Sequence, residues 1–464
     1  MDHFANATMP GETGPWSDPS PHLDLLEPQL PYGEDLLQFI WETRLFDHHA
    51  LRTVNGEPID VVRPGVVQNN SGPDLNGAQI RIDGQLWAGP VEVHLRSSEW
   101  NSHGHQFDPA YENVVLHVVY EHDLEVRTLR GRLLPTLELF PRIATESIAL
   151  YRGLMTNKRS VPCASQIGRV NGGTVAHWLD RVLGERLQRK AEKVIALHDR
   201  LGRDAAATFY HMLLQAMGLK VNAEPFEMLA DALPLKLLMK YRDDAIRTEA
   251  LLFGQAGLLQ VDHVDDHPRH LQREYRVLQH LHALRPIPLV AWKFGRIRPV
   301  NFPTLRLAQL AKLFTSRSSP MSDLLEAKDF ASIHAILDLS AEGYWWDHYQ
   351  FDRISVAGRK PIGRSAIQHI VINGIVPTLI AFSSIQRDRR SRDRAYQLLQ
   401  QLPAETNSIL AEWAAVGLVA VNAGQGQALL ELKQLYCNKR RCLSCGIGNE
   451  LLKLNSRSAR TNDP

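Results

Sequence analysis

Between Ser71 and Asp123 carboxylates, histidines and tryptophans crowd into one strand-turn-strand pattern, and two of the carboxylates fall where a hard cation would need them. Asp74 follows Pro73 at the head of a run that alternates through Ala78, Ile80 and Ile82. Asp83-Gly84 supplies a two-residue hairpin turn, and Val91, Val93 and Leu95 continue on the return strand. Asp74 and Glu92 then lie on antiparallel neighbours. Because side chains alternate with period two, Glu92, His94 and Arg96 share one face and the three apolar residues take the other. Two converging carboxylates offer oxygen ligands to Mg²⁺ or Mn²⁺, an ion that keeps waters, bridges to phosphate and lowers the pKa of a bound water. His94, two residues beyond Glu92, would orient that water, accept its proton or join the metal, since imidazole titrates near neutrality. Arg96, and His117 in the strand VVLHVVYEHD, would stand near the scissile phosphate.

The order Pro73-Asp74, hairpin, Glu92-Val93-His94 resembles the PD-(D/E)xK signature of nucleases and phosphodiesterases. That resemblance implies an α/β (α+β) restriction-endonuclease-like core in which Asp74 and Glu92 hold the metal of a reaction on DNA or RNA. His94 stands where the signature has lysine. This keeps open a second expectation, a non-catalytic nucleic-acid or protein binding module on a degenerate nuclease fold. The wider string GPD, WAGPVEVH, SSEW, HGH and LHVVYEHD is also similar to a bacterial family catalogued only as a domain of unknown function, from Gly33 onward. His103-Gly104-His105 with Asp108 resembles the metallo-β-lactamase string His-x-His-x-Asp-His, but the spacing departs from it and a polar loop is the simpler expectation. Ser97, Ser98 and Trp100 would either hydrogen-bond and stack on a nucleic-acid chain or pack a turn.

These residues need a scaffold. Residues 1–32, rich in Pro, Gly, Ser and Asp, have the composition of a disordered segment. Glu34 to Leu51 reads as an amphipathic helix, with Glu42 as a further acid facing the metal or solvent. Two short strands between Asp123 and Pro141 would complete a core over 33–145. From 146 to 464 the apolar period becomes 3.6, first around Leu179 to Leu201 and then from Ala205 to Met217, which predicts a large, mainly α-helical region. Within it Trp292, Lys293, Arg296, Arg298, Asn301 and Arg306 form a basic, aromatic-containing segment, expected to pair with acids on neighbouring helices in preference to phosphates. Gln386 to Arg394 reads as a solvated loop, and Tyr344, Trp345 and Trp346 with His348 and Tyr349 as core and interface aromatics.

With 52 basic and 51 acidic residues among 464, the net charge of +1 argues against a wholly basic nucleic-acid coat and leaves room for a local groove. No run is apolar enough to predict a membrane span, and the first residues lack a signal-like pattern, so a cytoplasmic address is expected. Reduced thiols in that compartment favour a metal over disulfides. Cys437, Cys442 and Cys445 are spaced C-x4-C-x2-C, which resembles plant-type ferredoxin spacing, and the fourth cysteine is the distant Cys163. Cys163 or a histidine would complete a structural tetrahedral zinc with the trio, or all four cysteines would hold an iron-sulfur cluster.

Overall fold

A computed structural model describes residues 33–461 except 69 and 70, with side chains to residue 454. The Pro-rich segment 1–32 lies outside the described residues. The chain divides into two compact units: 1–156 with 452–464, and 157–451.

The first unit is built on a mixed sheet. Helix α1 (Glu34–Glu42) leads into β1 (Ile59–Arg63), β2 (Val66–Val67), β3 (Leu75–Ile82) and β4 (Gln85–Arg96). A short helix α2 (Glu99–Ser102) and two 3-10 turns, His105–Phe107 and Pro109–Tyr111, cross to β5 (Leu116–Glu121). Strand β6 (Thr136–Glu138) and helix α3 (Thr145–Thr156) follow. The strand order is β1-β3-β4-β5-β6, with β2 also on β3. Pairing is antiparallel from β1 through β4 and parallel from β4 through β6. The hairpin forms as its residues require: Ile82 faces Gln85, and Asp83 and Gly84 both take positive φ, 48° and 80°, the geometry of a two-residue hairpin turn. Ala78, Ile80 and Ile82 are buried along β3.

Helix α1 is shorter than its apolar pattern. A Schellman motif stops it: Arg44 adopts φ 55°, its N–H donates to Trp41 O at 3.1 Å, and the Leu45 N–H donates to Ile40 O at 2.9 Å. The apolar residues beyond still join the core, with Phe46 stacked on Trp41 at 5.6 Å. Between Asp123 and Pro141 only β6 forms; the other expected strand reduces to a single bridge between Arg127 and Leu133. The β4-to-β5 crossover is fixed by Trp100, fully buried with Tyr111, Val114, Val126 and Leu134 and donating from Nε1 to Arg127 O at 3.0 Å.

The second unit is mainly helical. Its long helix α4 (Gly172–Arg200) starts at Asn171, whose side chain accepts from Gly173 N, and α5 (Ala205–Met217) starts at Asp204, which accepts from Ala207 N. A buried ion-pair network joins α4 to the helix Ala423–Glu431: the fully buried Glu431 carboxylate accepts from Arg186 at 2.7 Å and from Arg189 at 2.6 and 3.0 Å. Trp292 is buried and donates to Ala256 O, and Arg306, 1% exposed, bonds Gln309 and Asn301. The two ends of that segment are therefore core, while Lys293, Arg296 and Arg298 between them are exposed. Residues 389–401 correct the expected loop, forming a helix capped by Asp388, which accepts from Arg390 N and Ser391 N. Trp345 stacks on Phe253 in the interior.

One continuous helical stretch, Arg364–Gln386, is long and apolar enough to cross a membrane, against the sequence expectation, yet 78% of its apolar window is buried inside the protein. Its apolarity is that of a core element. A π-turn over Val371–Ile375 precedes Pro377, which has no N–H to give an α-helical bond.

Close packing at Gly89 makes the site-bearing strand sensitive to one added methyl. A Cβ there would meet Val115 Cγ1 at 2.6 Å and Asn113 O at 2.8 Å. Gly89→Ala should lower unfolding free energy by about 1–3 kcal/mol in urea titration. Gly153→Ala in α3, where a Cβ meets open space, should leave stability unchanged or raise it by up to about 1 kcal/mol.

Candidate metal centre

Asp74 and Glu92 lock each other. The Asp74 N–H donates to Glu92 Oε2 at 3.0 Å, and the Val93 N–H donates to Asp74 Oδ2 at 3.0 Å. This reciprocity is set by register, since Asp74 immediately precedes β3 and Leu75 pairs with Val91. Glu92 is 4% exposed. Its other oxygen, Oε1, lies 3.4 Å from His105 Nε2 and 3.7 Å from His94 Nε2. Among the described residues, its ion-pair partners are imidazoles only.

The sequence hid a third carboxylate. Glu34, at the start of α1, couples electrostatically to Asp74, Glu99 and Glu92, while Gln38, one turn later, hydrogen-bonds Asp74. Positions i and i+4 share a helical face, which the pattern Glu34/Gln38 beside Leu37 and Trp41 already displays. The opposite end of the helix carries Glu42, about 12 Å further along the axis; Glu34 is the acid associated with Asp74 and Glu92. Burial, then Asp74, raises the Glu34 carboxyl to about 7. Burial, then Glu92, raises Asp74 to about 6, against the opposing bond from the Val93 N–H. Tyr111 is pushed up to about 12 by burial first and by Glu92 and Asp74 next.

Four histidines adjoin the carboxylates. His94 Nδ1 shares a proton with His117 Nε2 at 2.8 Å, and His94 Nε2 lies 3.2 Å from His103 Nδ1. His105 stacks on Tyr111 with ring centroids 3.8 Å apart. The crossover delivers this group: α2 carries the chain past the end of β4, Gly104 at φ 79° turns it, and the 3-10 turn returns His105 over Glu92. One nitrogen from each of His94, His103 and His105 lies within 4.8 Å of the other two. The polar loop expected for His103 and His105 does form, and its path brings both rings to His94. Burial, then the neighbouring rings, holds His94 far below its ordinary value; burial, then His105, lowers His117 to about 3. Both rings are therefore neutral at pH 7. When His94 donates through Nδ1, its Nε2 lone pair faces the Glu92 carboxylate, an arrangement that a cation between them satisfies.

Of the remaining sequence candidates, His117 backs this centre and the others lie apart from it. His117 is fully buried and braces His94, so its ring is closed to a phosphate. Arg96 lies 3.7 Å from Glu121 across the parallel pair. Ser97 and Ser98 bind Asp123, and with Trp100 they make a packed turn. The four cysteines belong to the other unit.

The chain belongs to a family described as a protein of unknown function (DUF2851), whose model matches residues 34–408. That span includes every group of the candidate metal centre and stops before Cys437, Cys442 and Cys445. No curated protein and no solved structure matches the chain.

The raised carboxyls give a pH signature. Glu34 binds its proton more tightly folded than unfolded, so its contribution to stability is complete below its ordinary value of 4.5 and is lost as pH rises through about 7. In metal-free protein, the stability of wild type relative to Glu34→Gln should fall across that window. Urea titrations of both proteins at a series of pH values measure the difference; a flat difference would place Glu34 in water.

Proposed function

We propose that this chain is a metal-dependent phosphodiesterase acting on nucleic acid, with the ion held between Asp74 and Glu92. The observation that carries this reading is Glu92: a buried carboxylate clamped to Asp74 on one side and presented with two imidazole nitrogens on the other. Carboxylates gathered this closely repel a phosphate as well as each other, and a divalent cation reverses both effects. The PD-(D/E)xK reading rests on the motif itself, Asp74, hairpin and Glu92, whose two carboxylates the strand register brings together.

The donor set refines the choice of ion. Oxygen ligands alone suit Mg²⁺, whereas neighbouring imidazoles favour a borderline metal such as Mn²⁺ or Zn²⁺. Such an ion would make a bound water acidic near neutrality and offset charge on the phosphoryl oxygens. Glu34, the third acid beside Asp74 and Glu92, would accept the proton of the attacking water. His94, held by His117 and His103, serves as a positioned ligand, a different task from that of the lysine in the motif it resembles.

Cleavage assays on single-stranded DNA, duplex DNA and RNA with Mn²⁺, Zn²⁺ or Mg²⁺ test this directly. Wild type should cleave at least one substrate, with Mn²⁺ or Zn²⁺ more effective than Mg²⁺. Asp74→Asn and Glu92→Gln should reduce cleavage to background with folding retained, and Glu34→Gln should slow it roughly 10²–10⁴-fold. Folded, metal-replete protein that cleaves none of these, but binds nucleic acid equally well in chelator, would favour a binding module.

A further inference from the structure

The second unit brings Cys163 to the carboxy-terminal trio. The free cysteines are 163, 437, 442 and 445; the latter three are buried. Side chains from the tail bolt the Cys163 segment in place: Lys433 Nζ donates to Ser160 O at 2.6 Å, and Arg440 donates to the carbonyls of Asn157 and Arg159. The trio folds as a tight knuckle. Cys437 ends a π-turn over Leu432–Cys437, Arg440 takes φ 53°, and Cys445 N donates to Cys442 O at 3.3 Å. A Cβ on Gly448 would sit 2.3 Å from Cys442 O, so this closure needs glycine there.

Burial pushes all four thiols above their ordinary value, and polar groups gather around the sulfurs in partial compensation. Backbone N–H groups of Ile447 and Gly448, in the first turn of the helix Gly446–Thr461, donate to Cys445. The Trp178 indole N–H, on a residue 7% exposed, has no oxygen or nitrogen partner and lies against the same sulfur, where it favours the thiolate. Lys433 and Arg440 place positive charge near Cys437 and Cys442. Backbone and indole N–H donors and two cations around four clustered sulfurs are surroundings that a bound metal or cluster would use.

The spacing selects among occupants. Each of the four cysteines interacts electrostatically with all three others. Yet among the described residues the donor trio that closes within 4.8 Å is the histidine trio, and no trio of these sulfurs does so. A single zinc with Zn–S bonds of about 2.3 Å would draw its four sulfurs to about 3.8 Å from one another. A cluster in which each iron takes one thiolate suits the wider arrangement.

We propose that Cys163, Cys437, Cys442 and Cys445 hold a four-iron iron–sulfur cluster that fastens the tail to the start of the helical unit. It stands independently of the phosphodiesterase reading. The test is elemental and spectroscopic analysis of full-length protein purified without oxygen, or reconstituted with ferrous iron and sulfide. Iron and acid-labile sulfide should each approach about four per chain, with visible charge-transfer absorption that dithionite bleaches. Cys163→Ser and Cys442→Ser, checked for folding by circular dichroism, should each lose most of that iron and absorption. Stoichiometric zinc without sulfide, or protein that takes up no iron on reconstitution, would overturn the assignment. So would a folded Cys442→Ser variant with undiminished iron.

Discussion

Burying a carboxylate beside other acids is among the costlier things a fold does, and the first unit does it around Glu92, with only backbone N–H groups and imidazoles to receive it among the described residues. The sheet register that pairs Leu75 with Val91 makes this arrangement unavoidable, because it aims Asp74 and Glu92 at each other's backbone N–H groups. Glu34 adds a third acid from α1, and the crossover after β4 closes the space with imidazoles. Much of the surrounding packing serves that placement: Trp100 fixes the crossover, Gly89 lets β4 lie close to Asn113 and Val115, and Tyr111 backs His105. The charge conflict left over is the property that a divalent ion relieves, which is why the functional reading centres on a metal.

The part of this site that was legible in the sequence was the part made by local rules. Period-two alternation and the Asp83-Gly84 turn give the hairpin, and the hairpin gives Asp74 opposite Glu92. Glu34 was harder to see because its role depends on where α1 packs, although the Glu34/Gln38 spacing marks a polar strip on a buried helix. His103 and His105 read as an ordinary polar loop because their convergence on His94 requires a crossover whose path is set by the buried Trp100 some residues away. Conversely, His117 and Arg96 were placed on the correct strands but assigned a substrate contact; burial behind His94 and pairing with Glu121 are tertiary outcomes.

The helical unit shows the same division. Apolar periodicity and side-chain caps mark α4 and α5 well. The charged run beginning at Gln386 became a helix because Asp388 satisfies its first N–H groups, a local cue that outweighed the appearance of a solvated loop. Arg306 defeats any reading by charge, since it is buried with its two terminal nitrogens bonded to Gln309 and Asn301. The cysteines lie at the other extreme: their spacing raises the expectation of a metal, while the place of Cys163 emerges only when Lys433 and Arg440 hold its segment beside the knuckle.

The central claim is that a divalent ion sits between Asp74 and Glu92. Anomalous diffraction from crystals of the full chain grown with Mn²⁺ addresses it without reference to any substrate. The account predicts an anomalous peak bonded to both carboxylates, with His94 or His105 completing its coordination. A fully ordered site with no peak, or manganese bound elsewhere while Asp74 and Glu92 keep their mutual hydrogen bonds, would contradict it.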